Sequence, residues 1–350
     1  MFPGRPDLAA RSSATKAVPP LLVRGLSVVV DDGMVVEELD LALTAGTTHC
    51  LVGESGCGKS LTALSLMGLV PKPGRVDATR LSFSGQSLID LRETEWRKLR
   101  GPRIAMIFQD PMTSLDPCYT IGSQMTEVMR THRRIGQTEA RERAVALLAR
   151  VGVPSPAARL EQYPHQLSGG LRQRVMIAMA LSCDPDLIIA DEPTTALDVT
   201  TQAQILGLLA KLQAETGVGI VLITHDLGVV ATMAHRVAVM YAGQVVETGE
   251  TSAILSAPAH PYTEGLLQAI PTPGRTARGA LLGSIPGIVP PPTGEVETCL
   301  FMERCPYARP VCAVPVPLVP QDGDRALRCI RSVAERAGEP GFEERGEVVS

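Results

Sequence analysis

Residues 53–60, GESGCGKS, restrict this chain more than any other stretch. They follow the apolar run HCLVG (49–53) and open GKSLTALSLMGLV (58–70), whose apolar positions recur at helical spacing. A strand that turns through glycines straight into a helix fits the pattern G-x-x-x-x-G-K-[ST]. Glycine lets the backbone curl until several N–H groups converge on one anion, and the following helix adds the positive end of its dipole. Gly53, Glu54, Ser55, Gly56, Cys57 and Gly58 would form the cradle. Lys59 would reach the β- and γ-phosphates, and the Ser60 hydroxyl would ligate Mg²⁺. The competing reading is a chance match in an ordinary turn, which the placement between strand and helix disfavours.

The rest of the first 250 residues supplies a frame for such a loop. LLVRGLSVVV (21–30), LSFSG (81–85), IAMIF (104–108), LIIAD (187–191) and GIVLIT (219–224) read as further strands. Short continuous apolar runs separated by helical segments predict a parallel sheet covered on both faces, an α/β fold of the P-loop NTPase type. RVAVMYAGQVVETG (236–249) reads as a hairpin turning near Ala242-Gly243. TEARERAVALLARVG (138–152) is an amphipathic helix, and roughly 112–180 reads as a helical subdomain inserted into the α/β core. LIIADE (187–192) ends a buried strand in two carboxylates: Asp191 is placed to take the metal and Glu192 to polarise a water. Alone, the pair could equally cap the next helix.

Composition excludes several classes. The 350 residues are 45% hydrophobic, enough for about two domains. A formal net charge of -4 argues against nucleic acid as the main partner, because phosphate neutralisation needs clustered Lys and Arg. No apolar run reaches the ~18 residues of a membrane span. The first residues lack the apolar core of a secretory signal, so the chain is expected in the cytosol, where thiols stay reduced. Residues 1–20 read as a disordered leader and 334–350 as a flexible tail.

LSGGLRQRV (167–175), lying just before the second acidic motif, resembles the signature of ATP-binding cassette proteins. Four further elements fall in that family's order: Gln109 in MIFQDP resembles the Q-loop glutamine, LIIADE the acidic motif, Asp198 in TTALD the D-loop aspartate, and His225 in LITHD the switch histidine. In isolation each of these residues would be an ordinary surface or capping residue. The resemblance covers about 21–250. It implies that two such domains pair head to tail around two ATP molecules, with Ser168, Gly169 and Gly170 of one facing the phosphate loop of the other. Glu192 would then be the general base, Gln109 would sense Mg²⁺ and the water, His225 would hold the γ-phosphate, and Asp198 would couple the two sites. The sequence departs from the family at two positions. Leu171 replaces the commoner glutamine, as in members handling peptides. Val30 stands where an aromatic usually stacks on adenine, which puts that stacking in question.

The chain beyond 250 becomes Pro-rich, at SIPGIVPPPTG (284–294) and VPVPLVPQ (314–321), and reads as a separate extension over 251–333 with loop or polyproline character. APAHPYTEGLL (257–267) resembles the His-Pro-Tyr-Thr segment of ATPases in peptide and nickel importers, and SIPGIVP fits the same subfamily. Of eight Cys, four stand at Cys299, Cys305, Cys312 and Cys329, spaced C-x5-C-x6-C-x16-C. Reduced thiols at such density point to a metal. The spacing is too open for a usual zinc knuckle, while scattered Cys can hold an iron–sulfur cluster. Zinc or no metal stay open on the residues alone; the subfamily resemblance implies a [4Fe–4S] cluster.

The resemblance further implies the ATP-hydrolysing subunit of a peptide importer on the cytoplasmic face of the membrane. Its partners would be a second, similar ATPase, two transmembrane permease subunits docking near 109–130, and an extracytoplasmic substrate-binding protein. Nickel or another small solute is the alternative cargo. A soluble cassette acting on ribosomes or DNA would carry two cassettes or a coiled coil, and neither is present. A vestigial ATPase is opposed by Lys59, Asp191, Glu192 and His225.

Overall fold

β3 (Thr48–Val52) carries the chain into the phosphate-loop pattern and is buried at every position. The computed structural model describes residues 20–110, 114–195, 197–270, 284–290, 296–339 and 341–342. β3 lies between β10 (Arg236–Tyr241) and β9 (Gly219–Thr224), parallel to both. β8 (Leu187–Asp191) and β7 (Ile104–Ile107) continue the parallel array. These strands read as unbroken apolar runs because both of their faces are covered. Successive side chains leave opposite faces of a strand, so each strand feeds two cores. Cys50, Ile188, Ala190, Ile220, Leu222, Val237 and Val239 join a core with the helices. Leu51, Leu187, Ile189, Val221, Ile223, Ala238 and Met240 join a second core with an antiparallel sheet.

That smaller sheet runs β2 (Gly33–Leu43), β1 (Leu21–Val30), β5 (Arg80–Phe83) and β6 (Gln86–Ser87), with β4 (Arg75–Asp77) paired to β1. β1 has the expected bounds. β2 (Gly33–Leu43) was not among the expected strands, since Glu37, Glu38 and Asp40 break its apolar run. It pairs with β1 through Asp31 and Asp32, both at positive φ (47° and 63°), the geometry of a tight two-residue hairpin turn.

Helix α1 (Lys59–Leu66) is shorter than the 58–70 expected. Gly68 adopts φ 61°, its N–H donates to Ser65 O and that of Leu69 to Leu64 O, which closes the helix end. A Cβ on Gly68 would lie 2.4 Å from the Trp96 ring of α2 (Glu93–Leu99), so only glycine fits. Between β7 and β8 lie α3 (Ile121–Arg133), α4 (Gln137–Arg150), α5 (Pro156–Arg159) and α6 (Gly169–Leu181), packed on the helical-side core. α7 (Val199–Thr216) and α8 (Leu227–Met233) follow the acidic strand and β9.

β10 and β11 (Gln244–Glu250) form the expected hairpin, with Ala242 and Gly243 at positive φ. The extension departs from the loop expectation. α9 (Thr251–Ser256) and α10 (Pro261–Gln268) are helical, and β12 (Val319–Pro320) with β13 (Ala326–Leu327) adds to the main sheet through β11. The tail expected over 334–350 begins instead inside α11 (Val333–Arg336), capped by Ser332, and Phe342 is buried in the helical-side core. Tail residues 343–350 and leader residues 1–19 lie outside the described residues. Among the described residues no helix is long and apolar enough to cross a membrane.

Candidate nucleotide site

The loop between β3 and α1 has the shape that the sequence pattern requires. A Cβ on Gly53 would lie 2.2 Å from the Met240 carbonyl oxygen of β10, and one on Gly58 would lie 2.7 Å from Val35 O. Gly56 and Gly58 sit at φ 82° and 99°, a region that side chains resist. Ser55 and Gly56 are exposed at the rim, whereas Cys57 is buried and its thiol is pushed up by that burial. Lys59, 4% exposed, folds back so that Nζ donates to Gly53 O and Glu54 O at 2.8 Å each and to Cys57 Sγ at 3.6 Å. A buried ammonium held over a loop of curled backbone is a ready anion site.

β8 delivers Asp191 to the first turn of α1, where Ser60 Oγ donates to Asp191 Oδ1 at 3.1 Å. Burial pushes the Asp191 carboxyl up, opposed by the Ser60 hydrogen bond. The pair fits Mg²⁺, which takes one or two protein oxygens and fills its shell with substrate phosphates and water. Glu192 follows with φ 44° and its N–H bonded to Ile223 O of β9, a backbone that turns its side chain away from the path of the strand. Its carboxylate accepts from Gln109 Nε2 at 3.2 Å and from Thr195 Oγ1 at 2.7 Å, and His225 Nδ1 stands 3.4 Å away. The structure thus gathers Gln109, Glu192 and His225 from the ends of three neighbouring strands. Thr195 is a partner that sequence reasoning missed; its place three residues after Glu192 was the available signal.

Ser168, Gly169, Gly170 and Asp198 are not brought into contact with the phosphate loop within this chain. Ser168 caps α6, its Oγ accepting from Leu171 N at 3.4 Å, and with Gly169 it faces solvent. A Cβ on Gly169 would meet nothing within 4 Å. Asp198 caps α7, and its hydrogen bonds from Thr201 hold the carboxyl below its usual range. Gly170 packs against Thr201, so the two capped helices abut. Leu171 rests partly on the core. Val30 ends β1, half-buried against the other core.

In the extension, Cys299, Cys305, Cys312 and Cys329 border one cavity with His260, Phe301 and Tyr307. Burial raises the thiols of Cys299, Cys305 and Cys329, that of Cys305 to about 12, and neighbouring thiols contribute. Among the described residues, however, no group of three or more His, Cys, Asp or Glu is placed to hold a metal ion.

Residues 36–195 match the family model described as ABC transporter, and 246–312 match that of the oligopeptide/dipeptide transporter C-terminal region. The dipeptide transport ATP-binding protein DppD of Escherichia coli K12 is 51% identical over 295 residues, covering 84% of this chain and 90% of that protein. The chain belongs to the ABC transporter family. A putative peptide import ATP-binding protein of Brucella melitensis is 50% identical over 308 residues, covering 85% of this chain and 91% of its own length. Among solved structures, the ATP-binding cassette MJ0796, a dimer in a post-hydrolysis state bound to ADP and Pi, aligns with TM-score 0.58 at 28% identity over 66% of this chain and 98% of that one. CbiO1 from Clostridium perfringens, part of an ABC transporter complex, aligns with TM-score 0.60 at 27% identity over 68% and 91%. As a family member this chain is an ABC-type ATPase with a mixed α/β P-loop fold.

Proposed function

We propose that this chain binds Mg·ATP and hydrolyses it, as one of a pair of cassettes, to power a peptide importer. The observation that carries the reading is the meeting of Ser60 with Asp191 beside a Glu192 already joined to Gln109. Ser60 and Asp191 would hold Mg²⁺ and Lys59 the phosphates. When bound, the metal supplies charge neutralisation on the phosphate oxygens. Glu192 would take the proton of the attacking water as its oxygen bonds to the γ-phosphorus and the bond to the β–γ bridging oxygen breaks. Gln109 orients the Glu192 carboxylate, and His225 supplies a donor toward the developing charge. Ser168–Gly170, open at a helix start, would meet the γ-phosphate held by a second cassette, with Asp198 beside that junction. A similar but distinct ATPase fits the second place.

Peptide as cargo rests on the names and extent of the relatives and on the match of the extension. Two permeases and an extracytoplasmic binding protein would complete the machine, with this subunit on the cytoplasmic face. An apolar groove lined by Met67, Leu69, Phe108, Leu115, Val128 and Met176 lies beside Gln109 and suits a permease helix. The spacing of Cys299, Cys305, Cys312 and Cys329 and the resemblance of the extension, not the present placement of the thiols, support a [4Fe–4S] cluster there, structural or regulatory in role, since phosphate chemistry lies elsewhere. Anaerobic purification should then yield brown protein with iron and sulfide; colourless protein would remove the cluster. Cargo is tested by uptake in cells lacking the subunit and complemented with it. Restored dipeptide uptake supports the reading, and restored nickel uptake alone would replace it.

A further inference from the structure

The first variable residue of the phosphate loop is gripped by the extension. Glu54, between Gly53 and Ser55, accepts a two-pronged ion pair from Arg304: Nη1 to Oε2 at 2.7 Å and Nη2 to Oε1 at 3.0 Å. Across 208 residues, the Glu54 N–H donates to the Tyr262 hydroxyl at 2.9 Å. Both the side chain and the backbone of one loop residue are therefore fixed from outside the cassette.

The guanidinium is itself immobilised. Its side chain is 6% exposed. Nε donates to Pro286 O at 2.7 Å, Nη2 reaches Ile285 O at 3.3 Å, and the group lies over the Tyr241 ring at 5.6 Å. Tyr241, Tyr262 and Phe301 pack ring against ring behind it. Arg304 ends the short turn Met302–Arg304, between Met302 and Cys305, which both border the four-thiol cavity. A planar fork with all its directions committed holds a carboxylate far more firmly than a flexible ammonium would.

Electrostatics gives the grip a purpose. An unpaired carboxylate at the mouth of a phosphate loop would repel a triphosphate and leave the loop free to turn. Paired, it is neutralised and becomes a tether. We propose that Arg304 and Tyr262 are positioning residues of the phosphate loop, so that the extension sets the nucleotide affinity of the cassette through Glu54. The proposal rests on residues 53–60 being the phosphate cradle.

A double-mutant cycle in the full chain tests it, with Mg²⁺ and a fluorescent ATP analogue as probe. Arg304→Met should weaken binding about tenfold or more, because it strands the Glu54 charge. In the Arg304→Met/Glu54→Gln double variant, affinity should return to within about threefold of Glu54→Gln alone. Arg304→Lys should fall between wild type and Arg304→Met. Wild-type affinity in Arg304→Met, or effects that simply multiply in the double variant, would overturn the proposal. Should Arg304→Met fail to fold, Tyr262→Phe keeps the question open to measurement: amide exchange across 53–60 should quicken while β3 stays protected, and unchanged exchange would refute the tether. Lys59→Ala separates the two ideas. If it abolishes binding while Arg304→Met does not, only the positioning role falls; if it too binds normally, the cradle itself is wrong.

Discussion

Ser60 Oγ donates to Asp191 Oδ1 at 3.1 Å, joining the start of α1 to the end of β8 across 131 residues. Both oxygens would turn to a shared magnesium ion once a nucleotide is bound. Asp191→Asn keeps the volume and a hydrogen-bonding oxygen but loses the charge. ATP affinity in that variant should no longer respond to added Mg²⁺, which titration calorimetry with and without the ion would read directly. A preserved magnesium response would remove Asp191 from the metal site.

Glu192 is 8% exposed and held by Gln109 and Thr195. Replacing it by Gln should leave ATP bound and slow phosphate release by about 10²-fold or more, the usual worth of a positioned base. The variant should accumulate as a closed pair with its partner cassette in ATP, visible by size-exclusion chromatography. Turnover at the wild-type rate would end the assignment.

Two glycines should respond oppositely to alanine. At Gly53 the new methyl meets the Met240 carbonyl, so the backbone must shift, at a cost of about 1–3 kcal/mol. Melting temperature and nucleotide binding should both drop. At Gly169, the first residue of α6, there is free space for a methyl, and alanine narrows the unfolded chain's freedom without strain. That variant should melt no lower than wild type yet hydrolyse ATP more slowly once paired, if a phosphate from the other cassette approaches this face.

Stability should fall with acid. Burial lowers His49 to about 4 and His260 to about 3, from a usual 6.5. The unfolded chain therefore takes up protons below pH 6.5 that the folded chain refuses until about pH 4 or lower. Each such group makes unfolding easier as pH drops through that window, by up to about 3 kcal/mol for His49 and about 5 kcal/mol for His260. The His260 Nδ1 lone pair is already used by the Tyr262 N–H that starts α10, so protonation also costs a helix cap. Urea midpoints measured from pH 7 to pH 5 should decline; a flat profile would show that neither ring resists its proton.

The cassette was legible because its chemistry is local. A strand, a glycine turn and a lysine are contiguous, and a buried strand ending in two acids is visible without partners. β2 was hidden because its alternation is interrupted by Glu37, Glu38 and Asp40 on a sheet with one covered face. The early end of α1 depends on Trp96 lying against Gly68, a contact no periodicity announces. Arg304 and Tyr262 were invisible for the same reason: their meeting with Glu54 spans 250 and 208 residues. Cys spacing pointed to a metal on Cys299, Cys305, Cys312 and Cys329; these thiols border one cavity, but among the described residues no group of three or more ligands is placed to hold a metal.

The pairing of β13 with β11 changes what a shortened chain would be. Without Ala326–Leu327, the row of backbone amides and carbonyls along Gln244–Glu250, with Val245 and Val246 among them, would become an open sheet border. Such borders recruit strands from other molecules. A version cut after the cassette should therefore clump on expression rather than behave as a smaller, working enzyme.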